Sequence, residues 1–309
     1  MIVIICQYFC NSLTFWVGGV CKKLLFQYIF TTGFWKEWCD VVHKEKFDIR
    51  KEKKTLKGKI LHMDRKVIII FLSVAVLQTI SWYITSRSFF RANILPAYKT
   101  NPDIFLIEYL YWFIGDFITY FILPVCIIVF FLKGKISDYG VQTGDWKTGL
   151  KISFIFFIVM IPLIWLASSS TSFRENYPHL LSAREVWSIF LIYETGMVIY
   201  MFAWEFIWRG FLLFGLEEKF GYYAILIQMI PFVILHNGKP MAETFGAILG
   251  GIALGILAFR TRSFLYGVIV HIGVMFSIDF ICTLRFRSGD YGLGINSIIN
   301  ILKELFWGK

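Results

Sequence analysis

The chain has 309 residues, of which 57% are hydrophobic and 17% are charged, and its formal net charge at pH 7 is +10. A soluble domain of this length carries about 25% charged residues, so a soluble fold would lack the polar surface to cover its core. Long apolar runs alternate with short basic segments, which is typical of a polytopic helical membrane protein. Because basic residues beside apolar runs contact anionic lipid, the positive charge does not indicate a nucleic-acid partner.

The N-terminal part of the chain differs from the rest. Residues 1–36 are apolar and aromatic but lack the basic region and small-residue cleavage site of a signal peptide. A charged stretch follows, and Met63-Asp64-Arg65-Lys66 then opens an apolar run, as the start of a membrane protein would. We therefore expect residues 1–62 to be a non-essential extension and residues 63–309 to form a transmembrane bundle.

Seven apolar segments from Val67 onward approach or exceed the roughly 17–20 helical residues that cross a bilayer. The predicted spans are residues 67–86, 104–132, 150–168, 187–216, 222–236, 244–260 and 263–284. The fifth and sixth are short, and the fourth is long enough to tilt or to leave the membrane. The sequence thus predicts an all-α, polytopic transmembrane helical bundle of about seven spans in the cell membrane.

Two further patterns concern the membrane surface. The tail from Ile295 has apolar residues at helical spacing with Lys303 and Glu304 on the other side, which predicts an amphipathic interfacial helix. Basic connections mark the cytoplasmic side of a membrane protein. Those of this chain are residues 36–66, 133–151, 209–219 and 260–262.

Ionisable side chains inside apolar spans are costly and therefore mark functional candidates. Glu205 and Arg209 are four residues apart, which places them on one helix face where they can form an ion pair. His236 ends one apolar run, and His271 lies well within another. Asp279 follows eight residues later, about 80° round the helix, so it can face the same cavity as His271.

The predicted depths of these residues in the membrane fall in one range. A rise of about 1.5 Å per residue from the predicted cytoplasmic boundaries places Glu205 about 18 Å, His236 about 22 Å, His271 about 13 Å and Asp279 about 25 Å into the membrane. Three antiparallel helices would therefore bring a carboxylate and two imidazoles to overlapping levels, which favours one polar site.

These motifs resemble a known family. The run WEFIWRG that starts at Trp204, the spacing Phe-x-x-x-His that ends at His236, and His271 in a following span resemble the CPBP family. That family contains the CAAX prenyl endopeptidases and the bacteriocin-processing and abortive-infection proteins. Its motifs are Glu-Glu-x-x-x-Arg, Phe-x-x-x-His and His-x-x-x-Asn/Asp, and their order and spacing match over about residues 185–285.

The resemblance implies an intramembrane glutamate protease that cleaves a membrane-associated peptide or protein tail. In that scheme a glutamate and the first histidine activate a water, and the second histidine stabilises the oxyanion. Carried over by position, Glu205 and His236 would be the base pair, and His271 would be an oxyanion donor. Arg209 would orient Glu205 and balance its charge. General bases and oxyanion donors lower a reaction barrier most in a site from which bulk water is excluded.

Two positions depart from the family pattern. The first glutamate of the Glu-Glu pair, usually assigned as the base, is Trp204 here, and the Asn/Asp position is Met275. We take Asp279, one turn further along, as a substitute that would orient His271. The predicted catalytic residues are therefore Glu205, His236, His271 and Asp279.

Other acidic residues also lie in or near spans. Glu243 opens the next span and is expected to close the cavity or to pair with Lys239. Glu194 precedes the candidate glutamate by 11 residues on a similar helix face. Glu108 and Asp116 lie eight residues apart in an earlier span, where packing or hydration accounts for them.

Three functions compete. The first is a peptidase with a membrane-associated peptide or protein substrate. The second is a catalytically inactive family member that acts as a binding or immunity-type protein. The third is a transporter with ion-relaying carboxylates, which predicts an internal repeat that the sequence lacks.

A metal site is a further alternative. Glu205, His236 and His271 could hold a zinc ion and leave a position for water. The chain has no H-E-x-x-H motif. We therefore expect no cofactor.

Overall fold

The computed structural model describes residues 53–56, 58 and 62–307. The chain divides into two units, Met1–Met63 and Asp64–Lys309. Most of the predicted extension, residues 1–62, lies outside the described residues. The described residues of the second unit form helices and no strand, which confirms the all-α prediction.

The main helices of this unit are numbered in chain order. They are α1 Arg65–Ile80, α2 Arg87–Asn93, α3 Ile104–Phe117, α4 Trp146–Ala167, α5 Thr171–Asn176, α6 Trp187–Glu205, α7 Tyr223–Ile234, α8 Met241–Thr261, α9 Leu265–Ser288 and α10 Ile295–Trp307. π-Helical or short α-helical pieces continue three of them, at Ser81–Thr85 after α1, at Ile118–Ile122, Leu123–Cys126 and Ile127–Phe131 after α3, and at Phe206–Leu212 and Leu213–Phe220 after α6. Short 3-10 helices are Leu95–Ala97, Ile136–Tyr139 and Leu181–Arg184.

Among the described residues, six helical segments are long and apolar enough to cross a membrane. They are Arg65–Ala97, Ile104–Phe131, Trp146–Ala167, Trp187–Phe220, Met241–Thr261 and Leu265–Ser288. The predicted span 222–236 is instead the 12-residue α7. At about 1.5 Å per residue, α7 covers only about 18 Å of a hydrocarbon core of about 30 Å.

The connection after α7 explains this difference. Gly238 adopts φ +94°, a conformation that glycine reaches without strain, and the chain reverses there before α8 begins at Met241. α8 returns antiparallel to α7, and the Nε2 of Gln228 donates to the backbone oxygen of Gly251 at 2.8 Å. This reversal keeps His236 within the bundle.

α6 is the most enclosed of the spans. In the most apolar window of Trp187–Phe220, 83% is buried inside the protein, compared with 11% for Trp146–Ala167. Gly196 lets α3 approach closely, because a Cβ there would lie 2.7 Å from the ring of Phe113. Residues at the end of α6 are therefore removed from lipid.

Glu108 is a buried acid with cationic partners. The Nε atoms of Arg87 and Arg91 lie 2.6 and 2.9 Å from its Oε1. These ion pairs join α2 to α3. They explain the buried carboxylate of Glu108 as part of the packing between the two helices, as expected from the sequence.

The predicted C-terminal amphipathic helix is α10. It buries Ile301 against the bundle and exposes Ile295, Phe306 and Trp307. The pair between Arg287 and Glu304, 2.8 Å apart, also ties it to α9.

The first helix of the bundle has its own cap. The Asp64 carboxylate accepts hydrogen bonds from the backbone N–H groups of Lys66 and Val67 at 2.9 and 3.2 Å. A chain that starts at Met63 is therefore expected to insert into membranes and to unfold at the same temperature in detergent as the full chain. Size-exclusion profiles and thermal unfolding of both chains test this, and loss of insertion would refute it.

Candidate active site

Glu205 and Arg209 form a fully buried ion pair. Glu205 ends α6 at the point where the helix widens into the π-helical turns Phe206–Leu212. The Nη1 of Arg209 donates to the Oε1 of Glu205 at 2.8 Å, and both side chains are 0% exposed. This confirms the predicted i,i+4 pair. Each charge stabilises the other, because an unpaired charge is very costly at such a position.

His271 contacts the same carboxylate oxygen. Its Nδ1 lies 2.7 Å from the Oε1 of Glu205. α9 reaches Glu205 because Gly267 has no side chain, and a Cβ there would lie 2.6 Å from the Oε2 of Glu205. His271, one turn further along α9, then meets the carboxylate.

His236 lies on the other side of a shared aromatic ring. Its Nδ1 is 2.7 Å from the backbone oxygen of Phe232. The Phe232 ring centroid is 4.5 Å from that of His236 and 6.0 Å from that of His271. The guanidinium of Arg209 lies 4.0 Å over the same ring. Phe232 therefore organises the site, a role that its motif position alone did not reveal.

The contacts of the two imidazoles decide which nitrogens are free for chemistry. A backbone carbonyl only accepts hydrogen bonds, so His236 donates from Nδ1, and its neutral form carries no proton on Nε2. His271 likewise donates from Nδ1 to the Glu205 carboxylate. Each ring thus retains Nε2 for a substrate or a water.

Trp204 replaces the family glutamate with an aromatic wall. Its ring centroid lies 6.2 Å from Tyr120, 5.7 Å from Tyr200 and 6.3 Å from His236. Met275 is also buried, and its thioether has no proton to donate. Neither position supplies the polar group of the family motif.

Asp279 lies apart from the Glu205 cluster. It follows His271 by eight residues, which corresponds to about 12 Å along α9. Its carboxyl group interacts electrostatically with that of Glu194, and neither of its oxygens has a hydrogen-bond partner among the described residues. The Nδ1 of His271 is bound by Glu205 instead, so the expected orienting role of Asp279 is not observed.

Glu243 anchors the connection that carries His236. The Nζ of Lys239 lies 2.9 Å from its Oε1, which confirms the pair considered from the sequence. The hydroxyl of Tyr177 donates to its Oε2. Burial and the Glu243 carboxylate raise the pKa of Tyr177 above its usual range, so Tyr177 remains a donor. The sequence carried no signal for Tyr177, because 66 residues separate it from Glu243.

The donor set bears on the zinc alternative. Within the part of the chain that the structure describes, no three His, Cys, Asp or Glu side chains converge as metal ligands would. The Oε1 of Glu205 also faces the positive charge of Arg209. Glu205, His236 and His271 therefore do not form the three-ligand set that the zinc alternative requires.

The bundle and this cluster define a multi-pass helical membrane protein with a buried Glu–Arg–His site. A family model described as type II CAAX prenyl endopeptidase Rce1-like matches residues 185–277 and confirms the resemblance seen in the motifs. No curated protein and no solved structure shows a significant match to the chain. The match includes Glu205, His236 and His271, and at the family level it supports an intramembrane CAAX-type protease with a membrane-associated protein substrate.

The contact between α9 and Glu205 can be tested with two glycines. Gly267→Ala is expected to push the carboxylate away from His271 and to lower the unfolding free energy by about 1–3 kcal/mol, as overpacking does. Gly250→Ala in α8 is the matched control, because a Cβ there has nothing within 4 Å. Thermal unfolding in detergent compares them, and equal stability of both variants would contradict the close approach.

Proposed function

We propose that this chain is an intramembrane endopeptidase that hydrolyses a peptide bond in a membrane-associated peptide or protein tail. The observation that carries the proposal is the 2.7 Å contact between the Glu205 carboxylate and the Nδ1 of His271, within a buried site. The family match over the same residues supports the reaction class.

Glu205 and His271 would activate the water together. With its Nδ1–H held by the carboxylate, His271 takes a proton from water at Nε2, and Glu205 stabilises the imidazolium that forms. The hydroxide adds to the scissile carbonyl, and the proton then passes to the leaving amine. This assignment gives His271 the role that the motifs predicted for His236, because the carboxylate contacts His271 rather than His236.

His236 would orient the attacking water or the substrate. Its Nδ1 is bound to the Phe232 carbonyl, so only Nε2 is available. In the neutral ring that Nε2 accepts a hydrogen bond, from the attacking water or from an N–H group of the substrate. Arg209 is a positioning residue that holds Glu205 ionised.

A second candidate is a catalytically inactive family member that binds a peptide. Trp204 and Met275 favour it, because both remove polar groups that the family motifs carry. The two candidates use the same site but differ in whether a peptide bond is cleaved.

Hydrolysis of membrane peptides by the purified protein in detergent, with chelator present, tests the peptidase. Glu205→Gln and His271→Ala are each expected to lower the rate about 10²–10⁴-fold, because each removes half of the base. His62→Ala, which removes an exposed imidazole outside the spans, is the control and should leave the rate unchanged.

The double variant shows whether the two groups act as one unit. Glu205→Gln with His271→Ala should be no slower than the slower single variant, since groups that act together are not additive. Multiplying effects would contradict a shared role. No cleavage by the unaltered protein, together with peptide binding that survives Glu205→Gln, would favour the binding protein.

A further inference from the structure

A second pocket adjoins the candidate active site on the opposite side of Trp204. This aromatic pocket has a volume of about 220 Å³ and lies between the end of α1, α3 and α6. Its walls include the rings of Trp82, Trp112, Tyr120, Tyr200 and Trp204 together with the carboxylate of Asp116. Because the ring of Trp204 lies 6.3 Å from that of His236, a substrate bound at the active site would pass close to the pocket.

Asp116 supplies the charge of the aromatic pocket. It is 2% exposed, and its carboxylate accepts hydrogen bonds from the hydroxyls of Ser81 and Thr85 at 2.8 and 2.7 Å and from the Nε1 of Trp112 at 2.8 Å. All three donors are neutral, and Asp116 forms no ion pair with any residue in the described part of the chain. A buried carboxylate inside a span normally has a cationic partner or a functional role.

Arg87 also lines the pocket but is engaged elsewhere. Its Nε lies 2.6 Å from the Oε1 of Glu108, and its guanidinium stacks on the Tyr109 ring at 3.8 Å from the centroid. Arg87 shares the Glu108 carboxylate with Arg91, and no hydrogen bond or ion pair joins Arg87 to Asp116 in the described part of the chain. Arg87 therefore leaves the Asp116 carboxylate without a counter-ion.

The pocket offers acceptors and aromatic faces. The Oδ2 of Asp116 accepts one hydrogen bond, from Trp112, and retains a lone pair. The buried Oε1 of Gln78, in the pocket wall, has no donor among the described residues. Aromatic faces attract cations, most strongly when these are desolvated. A ligand that is cationic and rich in N–H donors matches all three features.

The volume limits the ligand to a single group. Pockets for drug-sized molecules measure about 300–1,000 Å³, so this one is suited to one amino-acid side chain. We infer that the aromatic pocket binds an alkylammonium group, and that its natural occupant is a lysine side chain of the substrate with Asp116 as its counter-ion. The identity of the occupant rests on the proposed function, whereas binding of an alkylammonium group does not.

Binding is tested with n-butylammonium chloride and the neutral isostere n-butanol, each added to the purified protein in detergent. We expect a saturable change in tryptophan fluorescence and a rise in unfolding temperature with butylammonium, beyond that of equimolar sodium chloride, and no such effect with butanol. The effect should be lost in Asp116→Asn and retained in His271→Ala, which removes hydrolysis but leaves the buried Glu205–Arg209 ion pair in place. Equal effects of the two probes, or an effect that survives Asp116→Asn, would overturn the inference.

Trp82 lines the pocket and can be replaced without removing a buried side chain. Its side chain is 65% exposed, so Trp82→Ala should fold and should weaken butylammonium binding about 2- to 5-fold, the range for a cation–π contact. Trp146→Ala, which removes a 54% exposed ring outside the pocket, is the matched control and should bind as the unaltered protein does. Equal affinities of the two variants would count against the pocket.

The substrate role is tested with a peptide that the protein hydrolyses, by replacing each residue in turn with lysine or norleucine. At one position the ratio of kcat/KM for the lysine peptide to kcat/KM for the norleucine peptide should exceed about 10. In Asp116→Asn this ratio should fall to about 1, because the two side chains differ in charge and the variant lacks the counter-ion that recognises it. A ratio near 1 at every position, with butylammonium binding intact, would refute the lysine assignment. If no peptide is hydrolysed, the proposed function fails while the binding result still decides the pocket.

Discussion

The Oε1 atom of Glu205 accepts from both Arg209 and His271, at 2.8 and 2.7 Å, in a position that neither water nor lipid reaches. A carboxylate is tolerated there only because a cation and an imidazole meet the same oxygen. That requirement constrains its surroundings. Arg209 must follow by one helical turn, and Gly267 must leave room for α9 to approach Glu205.

The neighbouring residue, Trp204, divides the surroundings of α6 into two sides. Successive helical residues are about 100° apart, so Glu205 meets α9 while Trp204 meets α3. One side carries the paired acid and the imidazoles. The other carries aromatic rings around Asp116, the only acid among the residues that line the pocket. Trp204, which stands where the family motif has a glutamate, therefore forms a wall between the candidate site and the aromatic pocket.

Local spacing was a good guide wherever the partners share one stretch of helix or one turn. The pairs Glu205–Arg209 and Lys239–Glu243 follow from an i,i+4 separation, which any helix turns into proximity. Helical angle alone was a poorer guide for Asp279. It placed Asp279 on a face of α9 shared with His271, but the acid that Asp279 interacts with electrostatically is Glu194 on α6. The fifth predicted span, residues 222–236, is instead the short helix α7, because hydropathy does not register the chain reversal at Gly238.

By itself the sequence determined the helical class, the membrane setting and the three motifs of the candidate site, because apolar length and i,i+4 spacing are local properties of a helix. Tertiary structure alone decided which imidazole meets Glu205, that Phe232 packs against both histidines, and that Tyr177 holds Glu243. Apart from the contact between Phe232 and His236, these contacts join residues tens of positions apart. They depend on how closely helices approach at particular glycines, which no one-dimensional pattern encodes.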